Sequence, residues 1–130
     1  MAQSLERLLV RRDFLAAAKG ASKATKGLVL QLRARDDERA EIRFGLTATK
    51  KIGPAVTRNR AKRRLRALAR EILPKEGRSG MDYVLIGRLE TGRRNFNDLR
   101  NDLLYALRKL HREIDQNEQN PSKAKNWAQG

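Results

Sequence analysis

Nine basic side chains and no acidic one lie between Lys50 and Arg70: Lys50, Lys51, Arg58, Arg60, Lys62, Arg63, Arg64, Arg66 and Arg70. A guanidinium grips phosphate through two parallel N–H bonds and a lysine acts as a point charge, so this block is suited to holding a polyphosphate. It is not a loose basic tail. Ala61, Leu65, Leu68, Ala69 and Ile72 recur at helical spacing, which predicts a helix from about Thr57 to Leu73 with an apolar stripe and a basic arc. Solvated helix faces usually mix both signs. An arc of one sign makes no i,i+4 ion pairs and repels itself until an anion arrives. Two further residues could extend the chemistry: Asn59 either reads a base edge or caps the helix, and Phe14, on a separate short helix, either stacks on a base or belongs to the core.

Hydrolytic chemistry is harder to find. The chain has no cysteine, which excludes disulfides, zinc ribbons and thiol nucleophiles. His111 is the one histidine; it sits in a basic helical stretch and reads as a solvated helix residue, not a catalytic base. The carboxylates are scattered through a turn (Asp36 to Glu41), a strand start (Asp82) and a helix (Asp98, Asp102), with no metal-ligand grouping. Cleaving a phosphodiester wants a metal or a general base beside the bound backbone, and the basic block offers neither. The expectation is therefore no catalytic residue, no metal ligand and no cofactor bound by the protein itself.

Thirty Lys and Arg against fifteen Asp and Glu leave a net charge of +15 over 130 residues, which points to a polyanionic partner. No apolar run approaches the ~20 residues that cross a bilayer, and the N-terminus has no signal-like apolar segment, so the expected location is the cytoplasm, away from membranes. The basic helix has no preceding support helix and turn, which argues against a helix-turn-helix and a DNA partner.

Other elements must position the basic helix. A short first helix follows Arg12, with Asp13 as its expected N-cap and Gly20 beyond its end. Residues 28–35 alternate, with Leu28, Leu30, Leu32 and Ala34 on one face and Val29, Gln31, Arg33 and Arg35 on the other. Residues 41–50 alternate again, Ile42, Phe44, Leu46 and Ala48 against Arg43, Gly45, Thr47 and Thr49, and the charged turn between the runs predicts a hairpin. Gly45 keeps its face low, so it marks either a close approach to the backbone or a simple twist point. Pro74 and Gly77 are expected to end the basic helix, and the apolar run DYVLIG (82–87) to be a strand buried on both faces. Asn97 is the expected cap of a last helix with Leu99, Leu103, Ala106, Leu107, Leu110 and Ile114 inward. The expected fold is an α+β two-layer sandwich, with one mixed sheet of three to four strands (one of them a possible short strand near Ala21 to Thr25). The domain is placed at residues 1–114, followed by a disordered tail at 115–130 that carries Trp127.

With RNRAKRRLR, the upstream TKKIGPAV and the downstream DYVLIGR, the sequence resembles the protein subunit of bacterial ribonuclease P. Arg43, Gly45, Leu46, Lys50, Lys51, Ile52, Gly53, Ala55, Val56, Arg58, Asn59, Arg60, Lys62, Arg63 and Arg66 fit the family pattern without gaps. The resemblance implies an RNA-binding subunit that assists a catalytic RNA in endonucleolytic removal of the 5′ leader from precursor tRNA. By the same resemblance, the RNA carries the chemistry and its magnesium ions. Arg58, Arg60, Lys62, Arg63, Arg64, Arg66 and Arg70 would face that RNA. Phe14, Gln31, Arg33, Thr47, Lys50 and Asn59 would line a cleft for the leader, bordered by Arg58, Lys62 and Arg66. The chain departs from the family at Ala18 and Gln31, where aromatics are frequent, and at Pro54, where Asn is. The residues taken alone also allow a non-enzymatic RNA-binding or ribosomal protein with the same sandwich.

Overall fold

A strand buried on both faces belongs in the middle of a sheet, and the apolar run after Gly80 lies there. In the computed structural model, which describes residues 5–35 and 37–118, the strands are β1 (Leu5–Arg7), β2 (Ala21–Ala24), β3 (Leu28–Ala34), β4 (Ile42–Thr47) and β5 (Met81–Gly87). The helices are α1 (Arg11–Ala18), α2 (Ala55–Glu76) and α3 (Phe96–Glu118), with 3₁₀ turns at Lys50–Ile52 and Leu89–Gly92. The five strands form one mixed sheet in the order β1-β4-β5-β3-β2.

The expected hairpin does not form. β5 enters between the two alternating runs, antiparallel to β3 and parallel to β4. The reason is the crossover β4–α2–β5, in which a long helix packed on the sheet returns the chain beside the strand it left. The face assignments survive: Leu28, Leu30, Leu32, Ile42, Phe44 and Leu46 are all buried on the side that meets α2 and α3. From α2 that core takes Leu65, Leu68, Ala69, Ile72 and Leu73, and from α3 Leu99, Leu103, Ala106, Leu107 and Leu110. A smaller cluster on the opposite face joins Leu8, Ala17 and Val84, with Phe14 and Ile86 packed against it, and holds α1.

Several boundaries move for local reasons. α2 runs through Pro74 and ends when the Gly77 N–H donates to the Leu73 carbonyl at 2.8 Å. A proline there forfeits only one hydrogen bond of the last turn. Asp13 is inside α1, whose N-cap is Val10. Asn95, not Asn97, caps α3: its Oδ1 accepts from the N–H of Asn97 at 2.8 Å and of Asp98 at 3.4 Å. α3 continues past residue 114 to Glu118, and residues 119–130, Trp127 among them, lie outside the described residues.

His111 corrects a further expectation. It is buried, with Nε2 2.7 Å from the Tyr83 hydroxyl. That hydroxyl accepts the Arg78 N–H at 3.0 Å, which leaves its own proton for the imidazole. Burial, then the nearby Arg78 charge, pushes the His111 pKa down to about 4, so the ring is neutral and Nε2 is free to accept. Burial likewise pushes the Tyr83 hydroxyl up to about 12.

Candidate nucleic-acid interface

The basic arc of α2 divides into an edge, a crown and a second edge. Arg58, Lys62 and Arg66 follow one edge, half-buried at i, i+4, i+8. The Nε groups of Arg58 and Arg66 are buried without a hydrogen-bond partner. Arg63 and Arg70 stand exposed on the crown. Among the described residues none of these five, nor Lys50 or Lys51, pairs with a carboxylate.

The other edge has a different task. Arg64 donates to the carbonyls of Thr91 and Arg94, each at 2.7 Å, and Arg60 to that of Gly92 at 3.0 Å. These bonds fasten the 3₁₀ turn at Leu89–Gly92 to α2. Burial, then the neighbouring Arg60 charge, makes the Arg64 guanidinium less basic than usual. Arg60, Arg63, Arg64, Ala67 and Phe96 line a shallow pocket of about 260 Å³. The guanidinium groups of Arg64 and Arg100 both lie over the Phe96 ring, 5.5 and 5.2 Å from its centroid. Nothing in the sequence separates this pair from the outward arginines, because the carbonyls they bind arrive from a distant turn.

On the far side of the sheet, strand register lays side chains out in rows. Gln31, Val84 and Gly45 form one row, and Val29, Ile86 and Thr47 the next. α1 crosses the first row and leaves the second half-open. A Cβ on Gly45 would lie 2.4 Å from Phe14 Cε1, so the missing side chain is what lets the Phe14 ring rest on the sheet. The ring is half-buried: it packs on the small cluster and also forms the wall of the open row. Lys50 is exposed just after β4, and Asn59 is exposed inside α2, well past its Pro54 N-cap, so Asn59 is not a cap.

The next row, Arg33, Asp82 and Arg43, was not assembled from the sequence. The Asp82 carboxylate is fully buried. It accepts from Arg43 Nε and Nη2 at 2.7 Å each, from Arg35 Nη1 at 2.8 Å and from Arg33 Nε at 3.1 Å. Arg33 and Arg43 also reach Asp13 of α1, each at 3.4 Å. Burial alone would raise the Asp82 pKa, but the hydrogen bonds from Arg43 and Arg35 outweigh it and hold the carboxyl below its ordinary range. Arg33, expected in the cleft, is therefore a tie between sheet and α1, with 29% of its side chain still exposed. The signal was present: a carboxylate beginning a strand buried on both faces needs cationic partners. Among the described residues no group of three or more His, Cys, Asp or Glu could hold a metal ion.

Residues 2–111 match the family Ribonuclease P. The chain belongs to this family. It is 54% identical over 103 residues to a ribonuclease P protein component of Ruegeria pomeroyi, covering 78% of this chain and 82% of the relative. To that of Caulobacter vibrioides it is 46% identical over 123 residues, covering 95% and 83%. Among solved structures, the ribonuclease P protein of Thermotoga maritima superposes with a TM-score of 0.63 at 33% identity, covering 76% of this chain and 92% of that one. A Staphylococcus aureus ribonuclease P protein mutant with defective mRNA degradation activity superposes at 0.69 with 25% identity, covering 81% and 87%. The chain is thus the protein component of the ribonuclease P endoribonuclease and associates with ribonuclease P RNA. Family membership removes the ribosomal-protein alternative.

Proposed function

We propose that the two faces divide the work of precursor tRNA processing. The unpaired edge and crown of α2, Arg58, Lys62, Arg63, Arg66 and Arg70, meet the phosphates of the catalytic RNA, with Arg60 and Arg64 shaping the adjoining pocket. The half-open row on the opposite face receives the single-stranded 5′ leader of the substrate. Phe14 offers a stacking surface, Gln31 and Thr47 offer hydrogen bonds, and Lys50 and Asn59 stand at the margin. Arg33 borders the cleft through its exposed portion. Gripping the leader holds substrates whose other contacts are weak, which broadens substrate use. Cleavage itself, with the magnesium ions it needs, belongs to the RNA, and the complex works in the cytoplasm beside its tRNA substrates. Among the described residues no helix is long and apolar enough to cross a membrane.

The observation that carries this reading is the Phe14 ring seated on Gly45 at the edge of a half-open sheet row. In the reconstituted complex, Phe14→Ala should lower affinity for precursor tRNA by about 1–3 kcal/mol, as for a lost base–aromatic stack, and leave mature tRNA nearly unaffected. Equal losses for both RNAs together with a large fall in melting temperature would make Phe14 packing alone. Cleavage by the highly purified protein without RNA would overturn the division of labour.

A further inference from the structure

On α3, Asn101, Leu104, Tyr105, Arg108, Lys109 and Arg112 line a surface groove of about 370 Å³ with no carboxylate among its described lining residues. Tyr105 is 55% exposed, unusual for an aromatic residue in a chain with so few. Lys23 of β2 places its ammonium 5.8 Å from the ring centroid, so one more cation borders the groove. Among the described residues Lys109 and Arg112 have no acidic partner, while Arg108 shares Glu76 of α2 at 3.0 Å. An aromatic ring flanked by unpaired cations is the chemistry of a single-stranded nucleic-acid contact: base on ring, phosphates on Lys and Arg. A protein partner would be expected to meet an apolar centre, which this groove lacks apart from Leu104.

We infer that this groove is a second contact for the catalytic RNA, taking an unpaired nucleotide on Tyr105 and its flanking phosphates on Lys109 and Arg112. The inference rests on the assignment of α2 to that RNA, because the two surfaces adjoin. Arg100 covers the Phe96 ring of the α2 pocket and bonds Glu71, and Arg108 bonds Glu76, so ion pairs tie α3 to α2 along the seam between the two surfaces. The substrate leader is not the occupant. α3 packs on the sheet face opposite α1, and a strand lying in the half-open row would have to turn round the sheet edge to reach Tyr105.

The test measures binding of the full-length protein to ribonuclease P RNA over a range of salt, for Tyr105→Ala, Tyr105→Phe, the pair Lys109→Ala/Arg112→Ala, and Arg63→Ala/Arg70→Ala on α2 as reference. Tyr105→Ala should weaken binding about tenfold and Tyr105→Phe hardly at all, since stacking needs the ring and not the hydroxyl. The α3 pair should lower the magnitude of the salt slope by about 1.4–1.8, two phosphates' worth. Preference of the complex for precursor over mature tRNA should not change. If the α2 pair weakens binding and no α3 variant does, the second contact is wrong and the proposed function stands. If the α3 variants act and the α2 pair does not, the groove is an RNA contact and the assignment of α2 fails. If Tyr105→Ala alters only precursor binding, the groove belongs to substrate and the inference is overturned. These side chains lie at the surface, so unchanged melting temperatures are expected throughout.

Discussion

Around Asp82 three arginines converge on one buried carboxylate, whereas along α2 five basic side chains pair with no carboxylate among the described residues. The residue type is the same and the consequence is opposite. In the first region the charge is compensated inside the domain, and Arg33 and Arg43 reach on to Asp13, so the cluster clamps α1 to the sheet. In the second, no described side chain compensates it. Counting arginines does not reveal which use a region serves; counting the carboxylates within reach does.

The strongest way to break the contrast is to remove the shared carboxylate. Asp82→Ala leaves Arg43 without its bidentate partner and takes one of two carboxylates from Arg35, whose side chain is 2% exposed, and should cost about 3–5 kcal/mol in denaturant unfolding. A loss under about 1 kcal/mol would mean that the cluster is no clamp.

Acid should dissect the domain in stages. His111 has a folded pKa of about 4 against an ordinary 6.5, so the unfolded chain binds the extra proton first. Its contribution is complete above about pH 6.5 and fades as pH falls toward 4, by about 3 kcal/mol at most. The Asp82 contribution, from a lowered pKa, is complete above the ordinary carboxylate value and fades only below it. His111→Gln, which keeps an acceptor for Tyr83, should abolish the first stage; a first stage that persists would assign it to other groups.

Arg64 is the intermediate case, an α2 arginine turned to internal use. Losing its two bonds to carbonyl oxygens should destabilise the fold by about 2 kcal/mol in Arg64→Ala. The smallest effect on folding belongs to Arg63→Ala, within about 0.5 kcal/mol, because that side chain is exposed and unpaired. The same substitution should reduce the salt slope of RNA binding by about 0.7–0.9. Should Arg63→Ala destabilise as much as Arg64→Ala, the distinction between inner and outer arginines along α2 would collapse.

Periodicity proved to report faces and not neighbours. Leu28, Leu30 and Leu32 were assigned to the core correctly, as were Ala61, Leu65 and Leu68, because a period of 2 or 3.6 states which side is wet. That β3 and β4 are separated by β5 depends on how α2 packs, and no local pattern encodes it. His111 was misjudged although Leu107 and Ile114 place it beside the buried stripe; its polarity outweighed its position. The outward arginines of α2 were legible because a run of one sign has few structural explanations. The clamp at Asp82 was not, since its members come from α1, β3, β4 and β5.

The central place of β5 also bears on the order in which the domain can be completed. Both halves of the sheet bond to a strand that is made after β1 to β4 and after the whole of α2. A ribosome-bound chain that stops before Met81 therefore holds two strand pairs with nothing to join them, and α2 has no finished surface to pack on. Its cationic stretch is presented to the surroundings before the fold closes. For this domain, synthesis delivers the cationic segment first and the element that locks it into shape afterwards.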